Sequence, residues 1–170
     1  MCIRDSDIGI LNYILDSEPI KVRATGFNPF EEIYDFACHS NCDLVYENNL
    51  FASVTLSWLS AIKTRRMIFG GTKETVVYDH LDEDQQIKIF KQSILPSEID
   101  ASTQFEYSVG ETVLPLIDNI EPLKNEIEEV VRCLKTNTKF VSDVDHAIKT
   151  IKVIESLQLS LMSNSEFIDT

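Results

Sequence analysis

The chain has 170 residues, 44% apolar and 25% charged, with five Gly, five Pro and four Cys, which is the make-up of an ordinary globular domain and not of a disordered or disulfide-stapled chain. Fifteen Lys and Arg stand against 28 Asp and Glu, and the formal net charge of -13 argues against a nucleic-acid-binding surface, because phosphate contacts need clustered cations. A chain of this length buries roughly two-thirds of its unfolded surface, so one core without metal or disulfide is expected.

Asp7 to Asp16 carries Ile8, Leu11 and Leu15 with Ile10 and Ile14, a helical spacing that covers a broad face. Pro19 breaks it, and Ile20 to Thr25 alternates as a half-buried strand does. The text from Phe27 to Asn41 is mixed, with a turn at Asn28-Pro29 and a short helix conceivable over Glu31 to Ala37. Asp43 to Glu47, Asn48-Asn49 and Leu50 to Trp58 read as a β-hairpin, since Asn tolerates the positive φ of a two-residue turn. Its second strand sets Ala52, Val54, Leu56 and Trp58 on one face and Ser53, Thr55 and Ser57 on the other.

Ala61 to Phe69 reads as the next strand, closed by Gly70-Gly71 as a flexible turn into Glu74 to Asp79. The acidic turn Asp82-Glu83-Asp84 then leads to Gln86 to Gln92, completing a mainly antiparallel meander. After Pro96 the pattern weakens through Phe105 to Val109 and Val113 to Ile117. Glu121 to Lys135 is an amphipathic helix, with Pro122 at its first position, an acidic first turn, and Leu123, Ile127, Val130, Val131 and Leu134 in one stripe. Ser142 and Asp145 resemble a capping box opening a last helix, whose stripe reads Val144, Ala147, Ile148, Ile151, Ile154 and Leu157. The order predicts an α+β fold, a mainly antiparallel open sheet with helices packed on one face. No G-x-G-x-x-G occurs, so a complete dinucleotide fold is excluded.

Cys2, Cys38, Cys42 and Cys133 are expected as reduced thiols in a chain without a secretory signal, which makes the cytoplasm its default address. Cys38-His39-Ser40-Asn41-Cys42 lacks the second ligand pair of a zinc site and reads as loop thiols before a strand, so no metal is expected. Every apolar stretch is interrupted by Lys, Glu or Asp well short of the ~20 residues of a membrane span.

Ser57 to Asp79 (SWLSAIKTRRMIFGGTKETVVYD) resembles the carboxy-terminal domain of the glucose-fructose oxidoreductase and inositol dehydrogenase family (Gfo/Idh/MocA). DIGILNYIL from Asp7, EPLKNE from Glu121 and AIKTIKVIESLQLS from Ala147 fit the same family in the same order. The resemblance implies an enzyme whose amino-terminal Rossmann half holds NAD or NADP. The carboxy-terminal half, residues 7–165 here with a tail at 166–170, then supplies the substrate pocket and an open sheet face for homo-oligomers. It implies hydride transfer at a hydroxyl of a sugar, cyclitol or nucleotide sugar, the segment from Trp58 looking most like the nucleotide-sugar branch.

The family's Glu-Lys-Pro lysine motif is absent, and its Asp-x-x-x-His element would place His at Ser6 and Asp at Cys2, neither of which has the required acid–base chemistry. Residues 1–6 depart from the pattern and are read as a non-native start of a truncated chain. No cofactor is expected on the fragment, which is expected to be inactive alone. A standalone, non-catalytic binding or oligomerisation module is the alternative.

Four residues are candidates for holding substrate. Lys63 and Arg65, with Arg66 and Lys73, form a cation run suited to a diphosphate, or else to solubility and interface ion pairs. Alternation puts Lys63 and Arg65 on one face and Arg66 on the other. Trp58 approaches nicotinamide or substrate, or belongs to core or interface. Asp7 orients a substrate hydroxyl, or caps the first helix. The hydroxyl face of Ser53, Thr55 and Ser57 suits packing between subunits, or solvent. No role in catalysis falls to His39, His80 or His146.

Overall fold

A computed structural model of the protein describes residues 5–92, 94–96, 105–108, 110–117 and 120–170. In chain order these form α1 (Asp5–Leu15), β1 (Lys21–Phe27), β2 (His39–Val45), β3 (Phe51–Ser57), β4 (Arg66–Gly70), β5 (Thr75–Asp79) and β6 (Ile87–Phe90). They continue with β7 (Ile94–Pro96), β8 (Phe105–Tyr107), β9 (Thr112–Val113), α2 (Pro122–Thr136), α3 (Val144–Met162) and β10 (Ile168–Asp169). All strand pairs are antiparallel, and the fold is α+β. The strands do not make one meander. They divide into a sheet of order β10-β1-β2-β3, a second of order β4-β5-β6-β9, and the pair β7-β8, within two compact units of residues 1–61 with 123–170, and 62–122.

In the first unit, Val22, Ala24, Cys42, Leu44, Ala52, Val54 and Leu56 alternate onto one sheet face and meet Ile8 of α1 and Val153 and Leu157 of α3. The β2–β3 hairpin forms as its sequence predicts. Asn48 and Asn49 take φ of 59° and 60°, and the Leu50 N–H donates to the Glu47 carbonyl at 3.3 Å, the geometry a primed turn requires of both central residues. β2 starts at His39, four residues before the expected hairpin strand, because β1 runs on to Phe27 and pairs with it there. The conceivable helix over Glu31 to Ala37 is absent. The Asn28 side chain instead organises a turn, accepting from the Phe30 N–H at 2.9 Å and donating to the Tyr34 carbonyl at 2.6 Å. Cys42 is therefore a strand residue in the core and not a loop thiol, and burial, with the Asp43 charge second, pushes its thiol up to about 12.

The α3 cap is Asp143 and not Ser142. The Asp143 carboxylate accepts the His146 N–H at 3.0 Å, a bond that a residue one place earlier does not make here. The buried face of α3 is Thr150, Val153, Ser156, Leu157 and Ser160, while Val144, Ile148 and Ile151 of the expected stripe are exposed. Small hydroxylated residues lie against the sheet because one of them is a hydrogen-bond partner. Ser160 Oγ accepts the buried Ala24 N–H at 3.0 Å and donates to the Glu166 carbonyl at 2.5 Å. β10 pairs β1 only at Lys21 and Val22, so beyond it Ser160 takes the place of a neighbouring strand. Residues 168–169, within the expected tail, thus cover part of that sheet edge.

α2 has no acid in its first turn, since Glu121 precedes the helix, and Asn137 at φ 52° ends it. Only Cys133 of this helix is buried; Leu123, Ile127, Val130, Val131 and Leu134 all stay exposed.

In the second unit, β4, β5 and β6 pair in tight succession. Neither Gly70 nor Gly71 takes a positive φ; the turn closes through the Gly71 N–H on the Glu74 carbonyl at 2.9 Å. Gly110 is needed for a different reason: a Cβ there would run into the Lys91 carbonyl. The Asp82 carboxylate accepts the Gln85 N–H and the Lys88 ammonium, each at 2.9 Å, which closes the β5–β6 turn and holds Asp82 below the usual carboxylate range.

Candidate substrate-binding residues

The four sequence candidates divide between the units, Asp7 and Trp58 in the first and Lys63 and Arg65 in the second. Helix α1 begins at Asp5, so Asp7 is half-buried inside the first turn and does not cap it. Its carboxylate there complements the positive end of the helix dipole.

Trp58 follows β3, and its N–H donates to the Cys38 carbonyl at 2.8 Å. Its side chain does not continue the core face of β3. The residue is 68% exposed and takes no part in the core of the first unit. Cys38 in turn donates its N–H to the Phe27 carbonyl at 2.9 Å, so Phe27, itself exposed, stands at the same end of the sheet.

Lys63 is not on a strand. β4 starts only at Arg66, and residues 61–64 lie outside its ladder with β5, which ends at Asp79 where the Leu81 N–H donates to Asp79 Oδ1 at 3.0 Å. The ladder reaches one residue beyond β4, where the His80 N–H donates to the Arg65 carbonyl at 2.9 Å. The expected shared face of Lys63 and Arg65 therefore fails at Lys63, while the opposition of Arg65 and Arg66 holds. Among the described residues Lys63, Arg65, Arg66 and Lys73 have no ion-pair partner, whereas Lys88 pairs with Asp82 at 2.9 Å and Lys91 with Glu111 at 2.7 Å. In a chain of net charge -13 this is a local reserve of positive potential.

Tyr78 Oη lies 3.0 Å from His80 Nδ1, on the strand facing Arg65. The signal for this pair was present in Tyr78-Asp79-His80, whose two-residue spacing puts both rings on one side of a strand. It escapes a reading that treats each histidine as solitary.

The outer face of the first sheet is a polar ladder. Arg23 pairs with Asp43 at 2.5 Å, Ser53 Oγ donates to Asp43 at 3.2 Å, and Thr55 Oγ1 donates to Asn41 at 2.9 Å. The hydroxyls of Ser53 and Thr55 thus serve carboxylate and amide neighbours across the strands.

Two surface hollows contain none of the four candidates, one of about 330 Å³ along Asn28 to Ile33 and one of about 650 Å³ beside Tyr13, Asn125 and Arg132. Among the described residues no group of three or more His, Cys, Asp or Glu is placed to hold a metal, and no helix is long and apolar enough to cross a membrane. A dinucleotide diphosphate is ordinarily taken where a strand passes through close-packed glycines into a helix. α2 is entered from β9 through residues 114–121, which include Pro115 and no glycine, so that passage does not fit the group.

No family model and no curated protein sequence matches the chain. Solved structures do. An aldose-aldose oxidoreductase from Caulobacter crescentus superimposes with a TM-score of 0.73 at 13% identity, over 98% of this chain and 45% of its own. A UDP-N-acetylglucosamine 3-dehydrogenase from Acidithiobacillus ferrooxidans gives 0.71 at 14% identity, over 94% of this chain and 46% of its own. A super-repressor mutant of Gal80p from Saccharomyces cerevisiae gives 0.67 at 14% identity, over 97% and 48%. The chain spans about half the length of the structures it matches. Its fold is that of one half of the Gfo/Idh/MocA-type oxidoreductases, consistent with their carboxy-terminal half.

Proposed function

We propose that the chain is the substrate-side half of an NAD- or NADP-dependent oxidoreductase that moves a hydride from a hydroxyl-bearing carbon of a sugar or nucleotide sugar. The observation that carries this reading is the coverage: nearly all of this chain superimposes on 45% of a sugar oxidoreductase and 46% of a nucleotide-sugar dehydrogenase. Such a reaction takes a hydride from carbon and a proton from the attached oxygen, so the base and the nicotinamide must face the same carbinol. We assign the nicotinamide and the base to a partner half, and the grip on the substrate to this one. Asp7 and Trp58, and separately Lys63 and Arg65, are the residues we assign to that grip. The polar outer face of the first sheet, with Ser53 and Thr55, serves a homo-oligomer, and the cytoplasm is its setting.

The fragment alone binds no NAD or NADP and is inactive. Titration of the purified chain with NADH and with NADPH, followed by nicotinamide fluorescence, is expected to give no saturable signal; tight binding of either would overturn the division of labour. The likeness to a repressor mutant supports a second reading, a binding module of the same fold without catalysis. In-frame sequence upstream of Asp7 that encodes G-x-G-x-x-G, Glu-Lys-Pro and Asp-x-x-x-His favours the first reading, and a stop codon there favours the second.

A further inference from the structure

We infer that Arg65, Tyr78 and His80 form an oxyanion site on one face of the second sheet, built for the phosphate of a phosphate ester. Arg66 faces Asp79 and Met67 faces Tyr78 in the β4–β5 register, and the His80 N–H to Arg65 carbonyl bond carries that register one step further. Cross-strand partners share a side of the pleat, as do residues two apart. Arg65, Met67, Tyr78 and His80 therefore lie on one side, with Arg66 and Asp79 on the other.

The chemistry of the three polar groups is complementary. When Tyr78 donates its hydroxyl to His80 Nδ1, the neutral imidazole carries its proton on Nε2, on the far side of the ring and free for a ligand. When the imidazole is charged, Nδ1 donates to Tyr78 instead and the phenol hydroxyl is released to donate outward, Nε2 donating as before. In both states the pair presents at least one N–H donor on the face of the sheet that carries Arg65. Arg65 has no carboxylate partner among the described residues although the chain carries 28 acids. Asp79, the acid on the facing strand, is on the other face and accepts the Leu81 N–H at 3.0 Å. A guanidinium fork, an imidazole N–H and a phenol are donors of three shapes, which a tetrahedral dianion satisfies better than a planar carboxylate. His80 is exposed and Arg65 and Tyr78 are half-buried, so the donors are accessible and their stems are supported.

This deepens the substrate reading above, on which it rests only for the identity of the ester. The site itself is tested without sugar, hydride or cofactor. The histidine side-chain resonances of the full 170-residue chain are followed by NMR, His80 being identified with H80Q, during titration with sodium pyrophosphate and with UDP at constant ionic strength. The His80 signal is expected to shift and saturate, with His39 and His146 unmoved. R65Q should weaken the binding by tenfold or more and Y78F severalfold, each with an unchanged backbone amide spectrum elsewhere. Equal shifts at all three histidines, or a silent His80, would overturn the site. UDP is expected to bind at least tenfold more tightly than pyrophosphate; equal affinity would overturn the assignment to an ester and leave a free-phosphate site. Failure of the oxidoreductase reading would leave the His80 shift and the losses in R65Q and Y78F unchanged and would bear only on the preference for UDP.

Discussion

Replacing Ser160 by Ala removes two hydrogen bonds while leaving the α3 backbone and its apolar packing in place. Ser160 and Ala24 are both fully buried, and the Ala24 N–H has Ser160 Oγ as its partner at 3.0 Å. The Glu166 carbonyl, on an exposed residue, can turn to water; the Ala24 amide cannot. A buried donor left unpaired costs about 1–3 kcal/mol, so we expect S160A to lose about 2 kcal/mol of stability, roughly a 30-fold change in the folding equilibrium. Urea unfolding followed by far-ultraviolet circular dichroism reads this as a lower midpoint at unchanged m value. S53A, which removes an exposed bond of 3.2 Å to Asp43, serves as control and should move stability by no more than about 0.5 kcal/mol. A loss in S160A as small as that of the control would show that the first strand does not depend on α3 for its edge.

Gly110→Ala should destabilise the second unit by about 1–3 kcal/mol, because the new methyl meets the Lys91 carbonyl and the backbone must shift; an unchanged thermal midpoint would contradict the close approach. Asn49→Ala should cost about 1 kcal/mol and Asn49→Gly should cost nothing or stabilise, since φ is 60° there; equal stability of the two variants in urea would exclude the primed turn. The Cys42 thiol, pushed by burial from 9.0 up to about 12, contributes stability that is whole below pH 9 and lost as pH rises towards 12. Urea midpoints measured from pH 8 to 11 should therefore fall less steeply in C42A than in the parent chain, and parallel slopes would refute this.

Local chemistry was legible where a residue type answers a backbone demand. Asn48-Asn49, the alternation of β3 and the Pro122 start of α2 all state their conformations directly. What escaped is set by partners distant in sequence. The strand expected over Ala61 to Phe69 loses its first half because β5 stops pairing, and nothing in Ala61 to Thr64 itself announces that. The apolar stripe of α3 indicates that a face is to be covered, but Ser160 turns a different face inward by answering the Ala24 amide, across 136 residues of chain. The candidate residues show the same division. Arg65 was visible as a cation, and its relation to Tyr78 and His80 comes from a register one step past the assigned strand.

The exposed seam along α2 bears on how the protein behaves in the tube. Leu123, Ile127, Val130 and Leu134 form an exposed apolar strip, and the charge of -13 opposes the approach of two such strips. That repulsion reaches about 30 Å at 0.01 M salt but only about 10 Å at 0.1 M, while adhesion between apolar strips is not screened. Dispersion of this chain is thus expected to fall as ionic strength rises, which light scattering across a salt series checks.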